Sequence, residues 1–157
     1  MGAQEVMEVA DDFHPRYDAE ARHYRYHLFC HPVRDPLREV FAWRIWPEVD
    51  LQRMNEAALG LMGSHDFQAF GGPTTPGGTT VREVFSAGWV KEGEKYHFDI
   101  RANAFLYHMV RRITFVLVKI GQNDASIRLI NESLTSGEMK ITGLAPPNGL
   151  FLQEVIY

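Results

Sequence analysis

The longest apolar pattern in the chain lies in residues 102–121, ANAFLYHMVRRITFVLVKIG. From Phe105 onward apolar residues recur every three to four positions, which predicts a helix. The apolar surface is too broad for a helix on the outside of a small domain. We therefore expect a central helix that follows a strand directly and packs on a sheet.

Other segments alternate like strands or have the aromatic content of strands. We predict strands at residues 4–10, 22–30, 40–46, 81–91, 95–102 and 150–157. If residues 22–30 are extended, Tyr24, Tyr26 and Leu28 share one face, and His23, Arg25, His27 and Phe29 share the other.

Two more helices and a loop complete the predicted order. One helix covers residues 51–62 with Asp50 as its N-cap and Gly63 as its end, and a second covers residues 125–134. Residues 64–70 predict a short helical turn, and residues 71–80, GGPTTPGGTT, predict a mobile loop. Strands and helices do not alternate regularly. The pattern therefore favours an α+β fold with a largely antiparallel sheet flanked by helices, rather than a doubly wound parallel sheet.

The composition fits a globular protein and argues against a membrane role. A chain of 157 residues with 45% hydrophobic and 23% charged residues fits a single globular domain, residues 1–157. No apolar run approaches the roughly 20 residues that span a bilayer, and Cys30 alone cannot form an internal disulfide, so we expect a cytoplasmic protein without a membrane role. The net charge of −4 argues weakly against nucleic acid, although a local basic patch can still bind phosphates.

The sequence lacks several motifs of nucleotide and metal chemistry. It has no glycine-rich phosphate loop, no Cys-X-X-Cys and no His-Glu-X-X-His. His23 and His27, with His31 further along, leave a metal site open, but a solvated cationic face is the favoured interpretation because no acidic or thiol ligand completes the set. We expect neither a metal nor a cofactor.

Several residues have both a structural and a functional interpretation. Tyr24 and Tyr26 fit core packing, or a phenol that stacks on a planar substrate or transfers a proton. Arg111 fits a salt bridge that completes the core, or a guanidinium that orients a carboxylate or phosphate. Five arginines fit a solvated surface or contacts to phosphates: Arg16, Arg22, Arg25, Arg82 and Arg112.

Three separated stretches, with HDFQAF, carry a family resemblance. FHPRYDAEARHYRY at residues 13–26, ANAFLYHMVRRI at 102–113 and APPNGLFLQEVIY at 145–157 occur in the order found in the tRNA pseudouridine synthase A family, which the chain closely resembles. The resemblance implies isomerisation of uridine to pseudouridine in the tRNA anticodon stem-loop without a cofactor. It also implies an extended antiparallel sheet flanked by helices, and a homodimer.

The resemblance assigns three roles by position. Tyr24 is similar to the active-site tyrosine that lies against the target base, which makes Tyr26 structural. Arg111 is similar to the arginine that pairs with the catalytic aspartate, and Leu150 to the apolar residue beside the tyrosine. The reaction requires a uracil turned into a pocket and kept from water.

One departure from the family decides what we expect of this chain. The Gly-Arg-Thr-Asp segment that carries the catalytic aspartate does not occur, and Asp11 and Asp12 do not replace it. Smaller departures are His23 for a basic residue and Phe115 for glycine. We therefore expect the C-terminal half of the enzyme, inactive alone, with the N-terminal half and tRNA as partners. The alternatives are a noncatalytic RNA-binding or dimerisation module and, more remotely, a metal-dependent hydrolase.

Overall fold

A computed structural model describes residues 6–157. Its strands are β1 (Ala21–Cys30), β2 (Trp43–Ile45), β3 (Gly63–Asp66), β4 (Val81–Glu92), β5 (Lys95–Ala102) and β6 (Leu150–Ile156). Its α-helices are α1 (Leu51–Ala58), α2 (Met109–Gly121) and α3 (Leu129–Ser136), and short 3-10 turns cover Arg38–Val40, Leu59–Leu61 and Pro147–Gly149.

The strands of the described residues form one mixed sheet around β1. The order is β2-β1-β5-β4-β3, and β6 also pairs with β1. Only the short β1–β2 pair is parallel, while β1–β5, β1–β6, β3–β4 and β4–β5 are antiparallel. Since β5 occupies one side of β1, β6 and β2 share the other side. The α+β prediction with a largely antiparallel sheet is confirmed.

One face of the sheet is apolar and carries the helices. Tyr26, Phe98 and Trp89 lie in register across β1, β5 and β4, and each is at most 4% exposed. Met109 and Ile113 of α2 are fully buried in the same core cluster. The predicted central helix packed on a sheet is therefore confirmed, and burial of this apolar face stabilises the fold.

Helix α1 is capped as predicted and also closes part of the sheet. Asp50 accepts a hydrogen bond from the backbone N–H of Arg53 at 3.1 Å. Asn55 accepts from the backbone N–H of Trp89 at 2.7 Å and donates to the Trp89 carbonyl at 3.1 Å. Because β3 pairs only with Val81–Val84, this amide occupies the hydrogen-bonding positions that a neighbouring strand would fill further along β4.

Several predicted boundaries were wrong. Residues 6–10 of the strand predicted at 4–10 are not a strand, and the first part of that segment lies outside the described residues. Residues 63–66 form β3 instead of a helical turn, because they pair with β4. In the other strand segments the predicted bounds hold within one residue, apart from 40–46, where only Trp43–Ile45 is a strand.

The two later helices also begin further along than predicted. Residues 103–108 separate β5 from α2, and His108 just before α2 has a left-handed backbone with φ of 63°. Helix α3 begins at Leu129, four residues after the predicted start. In both places apolar residues at helical spacing pack on the core from irregular segments.

No helix in residues 6–157 is both long enough and apolar enough to cross a bilayer.

Candidate active site and anion-binding cavity

A cavity of about 450 Å³ opens beside the first half of β1. Its walls come from the segment before β1, from the loop 71–80, from the start of β4 and from the residues after β5. The lining residues are Arg16, Tyr17, Ala19, Arg22, Tyr24, Thr74, Thr75, Arg82, Asn103, Ala104 and Phe105. The structure thus brings together four of the predicted site residues: Tyr24, Arg16, Arg22 and Arg82.

Tyr24 forms an aromatic wall of this cavity. It is half-buried on the helix-bearing face of β1, and its ring meets Phe105 edge to face, with centroids 5.1 Å apart and planes at 86°. The phenol oxygen forms no hydrogen bond with any described residue. A ring fixed by packing whose hydroxyl is unengaged can lie against a planar group and exchange a proton with it.

Arg82 is buried at the start of β4. Its residue is 8% exposed, and one terminal nitrogen donates to the carbonyl oxygens of Thr79 at 2.9 Å and Val81 at 2.6 Å. Its Nε forms no hydrogen bond in the described structure. Burial lowers the pKa of the Arg82 guanidinium below its ordinary value, yet an arginine stays charged at neutral pH. A buried cation therefore lines the cavity with only backbone carbonyls as partners.

Arg22 joins three segments around the cavity. Its terminal nitrogens donate to the carbonyl oxygens of Asn103, at 3.0 Å, and of Arg16. Asn103 in turn accepts from the backbone N–H of Glu83 at 3.0 Å. Arg16 is exposed at the rim, with its guanidinium 5.8 Å from the centre of the Tyr17 ring. Arg22 is thus held in place by backbone, whereas the Arg16 guanidinium forms no hydrogen bond with the described residues.

The cavity is electrostatically unbalanced. Three arginines line it, and none of its described lining residues is an aspartate or glutamate. None of the three forms an ion pair within 4.0 Å among residues 6–157. Like charges gathered in a partly buried space repel, so the arrangement favours binding of an anion.

Arg111 lies on α2 outside this cavity and contacts the segment that leads into β6. Its Nε donates to the carbonyl oxygen of Ala145 at 2.7 Å, and no acidic side chain of the described residues lies within ion-pair distance. Tyr26 donates from its hydroxyl to the carbonyl oxygen of Pro146 at 2.6 Å. Burial raises the pKa of Tyr26 well above its ordinary range, which fits the structural role expected for it.

Leu150 begins β6 on the same face as the two tyrosines. Its Cα partner on β1 is Tyr26, while Leu152 is the partner of Tyr24, so Leu150 is the diagonal neighbour of Tyr24. Gly149 allows this approach, because a Cβ there would lie 2.7 Å from the His27 carbonyl oxygen. The strand register thus places Leu150 one pair away from Tyr24, and its role beside the active-site tyrosine stays a prediction.

Two of the predicted RNA-binding arginines do not line the cavity. Arg25 points to the opposite face of the sheet and forms a bidentate ion pair with Asp99, at 2.8 and 3.1 Å. His23 and His97 contact the same carboxylate at 2.7 and 3.3 Å. Hydrogen bonds from Arg25 and His23 outweigh the opposing effect of burial and hold the pKa of Asp99 below its ordinary value. Arg112 on α2 is half-buried.

Sequence reasoning did not single out Phe105, Asn103, Thr74, Thr75 or Leu152. Phe105 was assigned to a helix, and the threonines to a mobile loop. Leu152 is 52% exposed although it lies directly beside Tyr24. The two-residue spacing of Leu150 and Leu152 in β6 could have identified Leu152 from the sequence, since residues two apart on a strand share a face.

Comparison with known proteins finds relatives over the whole chain. The chain is 38% identical over 159 residues to tRNA pseudouridine synthase A of Citrifermentans bemidjiense, covering all of the chain and 64% of the relative. It is 42% identical over 150 residues to the protein of that name from Syntrophotalea carbinolica, covering 95% of the chain and 60% of the relative. The chain therefore spans less than two thirds of the length of these relatives. The family model described as tRNA pseudouridine synthase matches residues 57–157, which include α2 with Arg111 and β6 with Leu150, so the chain belongs to the tRNA pseudouridine synthase family.

Proposed function

We propose that this chain supplies the substrate wall and part of the catalytic site of a cytoplasmic enzyme that isomerises uridine to pseudouridine in the tRNA anticodon stem-loop. The observation that carries the proposal is Tyr24 at the wall of a cavity lined by three arginines and no described acid. A flipped nucleotide offers both a planar base for the tyrosine and phosphates for the arginines.

The reaction breaks the C1′–N1 glycosidic bond, turns the uracil and joins C5 to C1′, while C5 loses a proton and N1 gains one. Tyr24 is the side chain that can lie against the base and exchange a proton. Leu152, the partner of Tyr24 across β1 and β6, and Leu150, its diagonal neighbour, place apolar side chains on the tyrosine's side of the sheet. The nucleophilic aspartate comes from a segment with Gly-Arg-Thr-Asp, which this sequence does not contain, and Arg111 is the cation that pairs with it.

Supporting this role, the terminal nitrogens of Arg111 are available. Its described hydrogen bond uses Nε, which leaves both terminal nitrogens for a carboxylate. The test combines the 157-residue chain with a separately made N-terminal half and unmodified tRNA. We expect pseudouridine only when both are present. Turnover by the chain alone would show that the nucleophile lies within it.

The second candidate is a noncatalytic RNA-binding or dimerisation module of the same fold, which the missing Gly-Arg-Thr-Asp segment favours. The same experiment separates the two functions. If the chain binds tRNA and the N-terminal half yet yields no pseudouridine, the module is the better description.

We also propose a homodimer. Strand β6 pairs with β1 on one side, and no described strand pairs with its other side. Open strand edges associate readily with other strands. Sedimentation of the chain should show concentration-dependent dimers, and a monomer at high concentration would contradict association through this edge.

A further inference from the structure

The three arginines of the cavity differ in depth. Arg82 is more than nine-tenths buried, Arg22 is half-buried and Arg16 is exposed at the rim. A solvated arginine on a surface needs no partner, whereas a buried guanidinium with an unpaired Nε loses hydration that its two carbonyl contacts only partly replace. The depth of Arg82 is therefore not explained by folding alone.

Hydroxyl groups and aromatic rings complete the surroundings of these arginines. Thr74 and Thr75 line the same cavity, as do Tyr24 and Phe105. Guanidinium and hydroxyl donors match the oxygens of a phosphate, while the rings match a planar base. A cavity with both features side by side suits one nucleotide better than it suits a continuous duplex backbone.

We propose that Arg82 and Arg22 form a buried subsite for one phosphate group of the substrate strand, with Arg16 guiding that group in from the rim. The proposal rests on the proposed function, because it names the part of the RNA that this cavity receives. Arg22 is fixed by the carbonyls of Asn103 and Arg16, and Arg82 by those of Thr79 and Val81. Both cations are therefore positioned before the anion arrives, which reduces the entropy lost on binding.

Arg82 is accordingly a positioning residue. A phosphate held at the back of the cavity sets how far the attached nucleotide enters, and so places its base against Tyr24. Arg16 acts differently, because an exposed cation mainly attracts the strand from a distance.

The direct test uses the 157-residue chain with 15N-labelled arginine and follows the Nε–Hε resonances by NMR. The probes are uridine 5′-monophosphate, uridine and inorganic phosphate. We expect the nucleotide to shift the Arg82 resonance and to bind about tenfold or more tightly than uridine, as a charged hydrogen bond implies. Equal binding of nucleotide and uridine would overturn the subsite. Inorganic phosphate binding as tightly as the nucleotide would overturn its assignment to the substrate strand.

Variants give an independent check. Arg82→Gln should remove the preference for the nucleotide over uridine, Arg82→Lys should keep part of it, and Arg101→Gln should leave it intact, because Arg101 is exposed on the opposite face. A retained preference in a folded Arg82→Gln chain would refute the proposal. If Arg82→Gln unfolds, the shift of the Arg82 Nε–Hε resonance in the wild-type chain still tests the proposal. Probe binding needs no turnover, so a failure of the proposed catalytic function would leave this test interpretable.

Discussion

Arg111 and Ala145 are joined by a reciprocal pair of hydrogen bonds: the Arg111 Nε donates to the Ala145 carbonyl at 2.7 Å, and the Ala145 N–H donates to the Arg111 carbonyl at 3.2 Å. The pair ties α2 to the segment that leads into β6. Arg111 therefore supports the position of Leu150 even before any carboxylate binds it.

Replacing Arg111 should destabilise the fold. Arg111→Gln removes the Nε donor and leaves the carbonyl of fully buried Ala145 unpaired, which should lower the free energy of unfolding by about 1.5–3 kcal/mol. The matched control is Arg112→Gln, since Arg112 forms no side-chain hydrogen bond with the described residues, and its effect should stay within about 0.5 kcal/mol. Urea unfolding measures both. Equal losses would show that the Ala145 contact contributes nothing.

Substitutions of the two tyrosines should have different effects: that of Tyr24 should lower turnover, and that of Tyr26 should lower stability. In the complete enzyme Tyr24→Phe should lower turnover about 100-fold or more while tRNA affinity stays nearly unchanged, because the role proposed for the hydroxyl is proton transfer. Tyr26→Phe loses the bond to Pro146 and should lower the free energy of unfolding by about 1 kcal/mol with little effect on turnover. Single-turnover assays and urea unfolding distinguish the two. Wild-type turnover in Tyr24→Phe would mean that Tyr24 serves in core packing and not in proton transfer.

Stability should decline on mild acidification because of His27. Burial lowers the pKa of His27 below its ordinary value, and the charges of Arg25 and His97 add to this effect, while Asp99 opposes it. The unfolded chain takes up a proton on this side chain near pH 6.5 and the folded chain does so only at lower pH, so the free energy of unfolding falls as pH falls through this window.

The variant His27→Gln tests whether His27 causes the decline in stability on acidification. It should make the decline between about pH 7 and pH 5 shallower than in the wild type. At pH 8, where His27 is neutral in both states, the comparison gives the effect of the substitution without the proton. Two curves of the same slope would assign the pH dependence to other groups.

Adjacent glycines at the start of the loop 71–80 should respond differently to alanine. A Cβ on Gly71 would collide with the Tyr107 carbonyl oxygen and lie 3.1 Å from the Leu106 Cβ, whereas a Cβ on Gly72 would meet nothing within 4 Å. Gly71→Ala should therefore cost about 1–3 kcal/mol, and Gly72→Ala should be close to neutral. Thermal unfolding of the two variants measures this. Equal midpoints would mean that the loop does not pack on residues 106–109.

The sequence was most informative where a pattern is local. Alternation in β1 placed Tyr24 and Arg25 on opposite faces, and the structure shows them there. The structure pairs Arg25 with Asp99 outside the cavity, so the RNA contact predicted for Arg25 stays a prediction. The Asp50 cap was likewise visible, because an N-cap needs only residues three apart.

The sequence was least informative where distant segments decide the structure. Residues 63–66 become a strand because β4 lies beside them, and nothing within the segment indicates that partner. Phe105 follows the spacing of the helix but contacts Tyr24 from the irregular segment between β5 and α2. The burial of Arg82 depends on four segments that meet only in the folded chain, although its place two residues before buried Val84 gave a hint.

The two hydrogen bonds between Asn55 and Trp89 also bear on how copies of this chain can associate. An amide side chain that pairs with both backbone groups of Trp89 denies an incoming strand the donor and the acceptor at that position of β4. At Trp89 the outer edge of β4 is therefore closed by a single residue of α1, whereas the outer side of β6 has no partner strand among the described residues and stays open to another copy.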